Sequence, residues 1–135
     1  MKISVQKEKI EVADTIESLR TPEAGAIVTF QGTVRRFSGD IEVTRLYYEA
    51  YREMAVKSIK QIADEAKERF GIIDYSIIHR IGDIDLTEDS VIVSVSSEHR
   101  EEAFSACKFI IDRIKIETPI WKKDIAVSGE ATWRD

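Results

Sequence analysis

Between Arg52 and Phe70 the chain places Ala55, Ile59, Ile62, Ala66 and Phe70 on one helical face and charged residues on the other. Such a helix cannot stand alone, because its apolar stripe must be laid against a second apolar surface. Gly71 follows where a left-handed residue commonly closes a helix. A second helix is predicted after Ser97, read as its N-cap, through "EHREEAFSACKFIIDRIKIE". Its stripe is Ala103, Cys107, Ile110, Ile111 and Ile114, and Pro119 ends it.

The covering surface must come from the β-branched segments around these helices. "KISV" (2–5) reads as a short strand, and Val12, Ile16 and Leu19 predict a short helix over 13–20, stopped by Thr21-Pro22. "AGAIVTFQGTVR" (24–35) reads as a long strand bulged at Gly32, "RFSGDIE" as a turn, and "VTRLYYEAY" (43–51) as its hairpin partner. "IDYSIIHRIG" and "DSVIVSVSS" are two more strands, separated by the turn-rich "DIDLTED". "IWKKDIAVSGEATW" supplies a final extended pair. The order β-α-β-β-α-β-β-α-β-β predicts an α+β fold with helices on a mostly antiparallel sheet, not a doubly wound nucleotide fold.

At 135 residues and 43% hydrophobic content the chain suits a single domain, 1–135, with a real core. A net charge of −5 argues against an overall grip on nucleic acid but leaves room for a local basic pocket. The lone Cys107 excludes an internal disulfide and a cysteine-rich zinc site, and on its helical stripe it reads as a small buried hydrophobe. No apolar run reaches the length of a membrane span, and "MKISVQKEKI" lacks a signal-peptide core, so a cytoplasmic location is expected. The six glycines are scattered, which rules out a glycine-rich phosphate loop. His79 and His99 lie on different elements, and neither a metal site nor a cofactor is expected.

What remains is a set of basic residues at the ends of elements. Arg35 leaves the long second strand, which also carries Phe30; His99 and Arg100 open the second long helix, where free N–H groups favour an anion. Lys115 stands in that helix's last turn, and "IETPIWKKD" brings Lys122 and Lys123 just beyond Pro119. Singly each has an ordinary explanation: Lys115 complements the helix dipole, Arg35 is a strand-end charge, His99 is a surface residue. Together they suit a phosphorylated or carboxylate-bearing ligand. Three readings follow: an enzyme, an anion-binding module built on Ser97–Arg100, or an interaction protein whose extended C-terminal edge adds a strand to a partner.

The blocks "GAIVTFQGTVR", "LYYEAYREMA", "IIHRIGDI", "SVSSEHREEAFSACKFIIDRIK" and "PIWKKD" decide among them. In this order and spacing, over about residues 24–133, the chain resembles the catalytic, large subunit of molybdopterin synthase. The resemblance implies an α/β-hammerhead-type domain with an added β subdomain. It implies a sulfurtransferase that converts cyclic pyranopterin monophosphate into molybdopterin. The sulfur arrives as a thiocarboxylate on the C-terminal Gly-Gly tail of a small ubiquitin-like subunit, and two large subunits form the homodimer core of a heterotetramer. It implies that Lys115 and Lys122 are the catalytic pair beside that tail, that Arg35, His99 and Arg100 hold the substrate, and that Phe30 lies near the pocket. Arg36, Asp124 and Ile111 depart from the usual residues, at positions expected on the rim.

These residue types suit the reaction. The thiocarboxylate sulfur is already an anionic nucleophile, so the protein must bring two anions together and offset their repulsion. Lys115 is suited to neutralise the tail, stabilise an oxyanion, or protonate a leaving oxygen. Arg35 and Arg100 are suited to forked phosphate binding, which His99 could share. In one continuous helix Arg100 and Lys115 stand about 22 Å apart. Sites shared across a symmetric dimer are therefore expected.

Overall fold

The computed structural model describes residues 1–134. In chain order its first elements are β1 (Lys2–Gln6), α1 (Val12–Glu17), β2 (Ala26–Thr33), β3 (Phe37–Ser38), β4 (Ile41–Ala50) and α2 (Arg52–Phe70). There follow β5 (Asp74–Arg80), β6 (Gly82–Asp85), β7 (Asp89–Ser97), α3 (Arg100–Glu117), β8 (Ile120–Ala126) and β9 (Ala131–Arg134). The predicted α+β class holds, and the strands divide into two sheets.

The first sheet has the order β1-β5-β7-β2; only the β1–β5 pair is parallel. Alternation along β7 sets its faces. Val91, Val93 and Val95 join a core with Ala55, Ile59, Ile62 and Ala66 of α2 and Ala103, Cys107 and Ile110 of α3. Ile92 turns the other way and packs with Ile10 and Ile78, beside Val12 of α1. The helical stripes read from sequence are therefore the surfaces that cover this sheet. α2 ends where expected, at Gly71, whose φ of 68° is left-handed backbone that glycine adopts without strain.

The bulge predicted at Gly32 is present: the β2–β7 register shifts between Gly32 and Thr33. A Cβ at Gly32 would come within 2.7 Å of Val91 Cγ1, so this strand position needs the bare backbone.

In the second sheet β4 is central, paired antiparallel with β8 on one side and with β3 and β6 along the other; β9 adds to β8. This is the β subdomain. It corrects three expectations. β4 is not the hairpin partner of β2, which pairs with β7 in the other sheet. "RFSGDIE" is not all turn, since Phe37–Ser38 form β3 against β4. "DIDLTED" is not all turn either, since its first residues belong to β6, which pairs Tyr48 with Gly82 and Leu46 with Ile84. Ile84 is fully buried, and an apolar residue between acids is the period-2 signal of a half-buried strand.

The start of α3 differs as well. Ser97 is the buried last residue of β7, and its hydroxyl donates to the His99 carbonyl rather than capping the helix. His99 is the N-cap residue, with its N–H donating to the Glu102 carboxylate. The short first helix spans fewer residues than predicted, and Leu19 is buried from just beyond it.

Candidate active site

Register builds the site. Lys122 of β8 lies directly opposite Tyr48 of β4 on one side and Arg134 of β9 on the other. Residues directly opposite in a sheet share a face, so these three side chains project together. Asp124, two residues along β8, shares that face. The C-terminal end of α3 lies over it, contributing Ile111, Ile114 and Lys115 to a cavity of about 140 Å³. His79, at the end of β5, and Ile120 complete the lining with Tyr48, Lys122 and Arg134.

Lys115 and Lys122 are thus brought together, because α3 stops at Glu117 and β8 starts at Ile120. Partial burial holds the Lys115 ammonium below its ordinary value, and the charge of Lys122 lowers it further. Lys123 faces the opposite side, as alternation requires. It is not freely solvated: its ammonium lies 5.1 Å from the Tyr47 ring centre and 4.8 Å from that of Trp133. Trp121 meets the Tyr51 ring edge-on at 5.4 Å and packs beside the bend.

Asp124 was expected on the rim, and the structure corrects this. It is 1% exposed, and Arg134 Nε donates to its Oδ2 at 2.5 Å. Ile111 is likewise buried, in the wall of the cavity. Asp124 lies within β8 between β4 and β9, opposite Leu46 and Thr132, with the Arg134 guanidinium on its carboxylate, and its place in the sequence did not reveal this.

His79 is the buried group that sequence reading passed over. Its Nδ1–H donates to the Arg80 carbonyl at 2.7 Å, which leaves Nε2 as an acceptor, and the Tyr48 ring meets it edge-on at 5.0 Å. Burial, with the nearby Lys115 charge adding to it, pushes its pKa down to about 4. The folded value lies below the ordinary 6.5, so the stability this contributes is fully present above that pH. It is lost as pH falls towards the folded value, and amounts to about 3 kcal/mol. Urea unfolding of wild type and His79→Gln at neutral and acidic pH checks this: wild type should lose about 3 kcal/mol more than the variant. Equal losses would place the acid sensitivity elsewhere.

The other residues singled out in the sequence do not line this cavity. His99 and Arg100 are exposed at the far end of α3, whose 18 residues carry them about 22 Å from Lys115. Glu101 and Glu102 already complement the helix dipole there, and Glu98 lies 3.8 Å from His99, so the helix start by itself is a poor anion site. Phe30 is exposed in the middle of β2, opposite Val93. α3 runs back along β7, with Cys107 donating to the Val93 carbonyl, so Lys115 comes level with the Asp89 end of the sheet. Thr33 pairs with Asp89, which puts Arg35 at that same end, exposed and outside the cavity.

Cys107 is a buried free thiol, and burial raises its pKa to about 11, as suits a core residue rather than a nucleophile. Among the described residues no group of three or more His, Cys, Asp or Glu side chains could hold a metal ion, and no helix is long and apolar enough to cross a membrane.

A family profile described as MoaE protein matches residues 5–117. A molybdopterin synthase catalytic subunit from Thermoplasma volcanium is 52% identical over 131 residues, covering 97% of this chain and 96% of the relative. One from Pyrococcus abyssi is 40% identical over 131 residues, covering 96% and 88%. Among solved structures, the X-ray crystal structure of molybdopterin synthase from Staphylococcus aureus matches with a TM-score of 0.91 and 38% identity, over 97% of this chain and 95% of that one.

Proposed function

This chain belongs to the MoaE protein family, alongside molybdopterin synthase catalytic subunits, and from that premise we propose how its pocket works. The enzyme is a sulfurtransferase of molybdenum cofactor biosynthesis. It moves sulfur from the C-terminal thiocarboxylate of a small ubiquitin-like subunit to cyclic pyranopterin monophosphate, forming the dithiolene of molybdopterin. The observation that carries this reading is the meeting of Lys115 and Lys122 in one cavity between α3 and β8. Two cations there offset the repulsion between an anionic tail and an anionic substrate, most strongly where water is partly excluded. Lys115, whose pKa is lowered by burial and then by the charge of Lys122, is the group suited to stabilise the oxyanion or pass a proton. A cytoplasmic location is part of this reading, in keeping with a single thiol that forms no disulfide.

His99 and Arg100 enter the reading through a second copy of the chain. One subunit cannot fold the ends of an 18-residue helix onto one reacting centre. A symmetric dimer would bring His99 and Arg100 of one subunit towards the cavity of the other, with Arg35 and Phe30 at the shared boundary. That dimer would form the core of a heterotetramer with two small subunits.

Sulfur transfer in vitro, with a thiocarboxylated small subunit and the pyranopterin substrate, tests the activity. Dithiolene product is expected from wild type, and its absence from folded, paired protein would sink the assignment. Mixing Lys115→Ala with Arg100→Ala chains tests sharing: each alone should be inactive and the mixture partly active. No recovery despite proven subunit exchange would count against a shared site.

A further inference from the structure

Arg134 is the one cation of the cavity that no spacing in the sequence pointed to. It is directly opposite Lys122 on the neighbouring strand and lines the same cavity as Lys115. Its side chain is about one third exposed while its partner Asp124 is 1% exposed, so the ion pair has a buried end and an open end. Nε is committed to Asp124 Oδ2. No protein acceptor engages Nη1 or Nη2 among the described residues, and Asp124 Oδ1 is buried without a partner. Asp124 therefore holds the guanidinium by its inner nitrogen and leaves the outer fork free. A planar fork with two parallel N–H donors matches a planar, two-oxygen or oxygen-sulfur anion better than an ammonium does.

From this arrangement we infer that Arg134 is a third anion-binding residue of the cavity, which takes the carboxylate or thiocarboxylate end of the small subunit's tail, and that Asp124 is its positioning residue. This rests on the synthase reading above. Lys115, Lys122 and Arg134 set against Asp124 leave two positive charges around the cavity, with His79 neutral above its depressed pKa. One neutral-making partner is thus available for each of two anions: the tail at the Lys122–Arg134 edge, and the substrate on the Lys115 side.

Binding of the small subunit with its complete carboxylate tail is to be compared with binding of the same protein lacking the terminal Gly-Gly. Wild type should prefer the complete tail, and Arg134→Gln should lose about tenfold or more of that preference. Affinity for the shortened form should be unchanged by the substitution. Asp124→Asn, which frees the guanidinium to move, should lose part of the preference, and Arg134→Lys should restore only part of it. Arg134→Gln leaves the Asp124 charge buried and unpaired, so Asp124→Asn/Arg134→Gln is made in parallel; it should fold and still lack the preference. Repeating the comparison with the thiocarboxylated tail separates the two forms of the anion, with the loss expected for both.

The inference is overturned if Arg134→Gln keeps the full preference, or weakens complete and shortened forms equally. It is overturned too if the variant instead raises the KM for the pyranopterin alone, which would assign the fork to the substrate phosphate. Were wild type itself to bind both forms alike, the synthase reading would fall first.

Discussion

Lys115→Ala is expected to slow dithiolene formation by about 10²–10³-fold, the usual loss when one preorganised charge stabiliser is removed from a water-poor site. The fold should be unaffected, because Lys115 stands in the last turn of α3 with much of its side chain open to solvent and only part of it in the cavity, while its neighbours Ile111 and Ile114 supply the packing. Single-turnover rates with the thiocarboxylated subunit, together with an unchanged unfolding midpoint, give the measurement. Lys115→Arg separates the two roles open to the side chain. An arginine keeps the charge but does not release a proton in this pH range, so full rescue would indicate neutralisation and no rescue would indicate proton transfer. The pH profile adds a second reading. Burial and then Lys122 lower the Lys115 pKa, so a rate that needs the ammonium falls at a lower pH than for a free lysine. Removing Lys122 should move that fall to higher pH. A Lys115→Ala enzyme with wild-type rates would end the catalytic assignment.

Ile59→Ala is expected to destabilise the protein by about 2–5 kcal/mol, the range for truncating a large aliphatic side chain in a packed core. Ile59 is fully buried in the core formed by α2, α3 and the valine face of β7. No neighbour can fill the space without leaving its own contacts, so a transfer loss and a cavity loss add. Lys57→Ala, two residues away on the exposed face of the same helix, should stay within about 0.5 kcal/mol. Denaturant titration of both variants checks this, and similar midpoints would contradict the assignment of the α2 stripe to the core.

Much of the fold was legible because it rests on local periodicity. The α2 stripe, its glycine stop, the alternating β7 and the Gly32 bulge are all patterns of a few neighbouring residues, and each appears where the pattern placed it. β6 was missed because four residues beside a turn carry too little alternation to outweigh their acids, and only pairing with β4 makes them a strand. Ser97 was misread because a serine before a helical pattern looks like a cap, whereas here its hydroxyl is used within the turn and the strand continues through it.

The site divides in the same way. Lys115 and Lys122 were singled out as a pair by the family resemblance of the blocks that carry them, and the helix stop at Pro119 is consistent with the chain turning back between them. His79, Tyr48 and Arg134 were not, because their places depend on which strands pair and in what register. A one-residue slip between β8 and β9 would turn Arg134 to the opposite face.

By itself, then, the sequence determined the helices, most strands and the family, which are written in short-range spacing or in ordered blocks of residues, and through the family resemblance it pointed to the lysine pair. Only the tertiary structure decided that Asp124 is buried, that Arg134 stands across from Lys122, and that His79 lies neutral at the cavity wall. Those are consequences of long-range strand pairing and of water being excluded between a sheet face and a helix end, and neither is encoded at any one position in the chain.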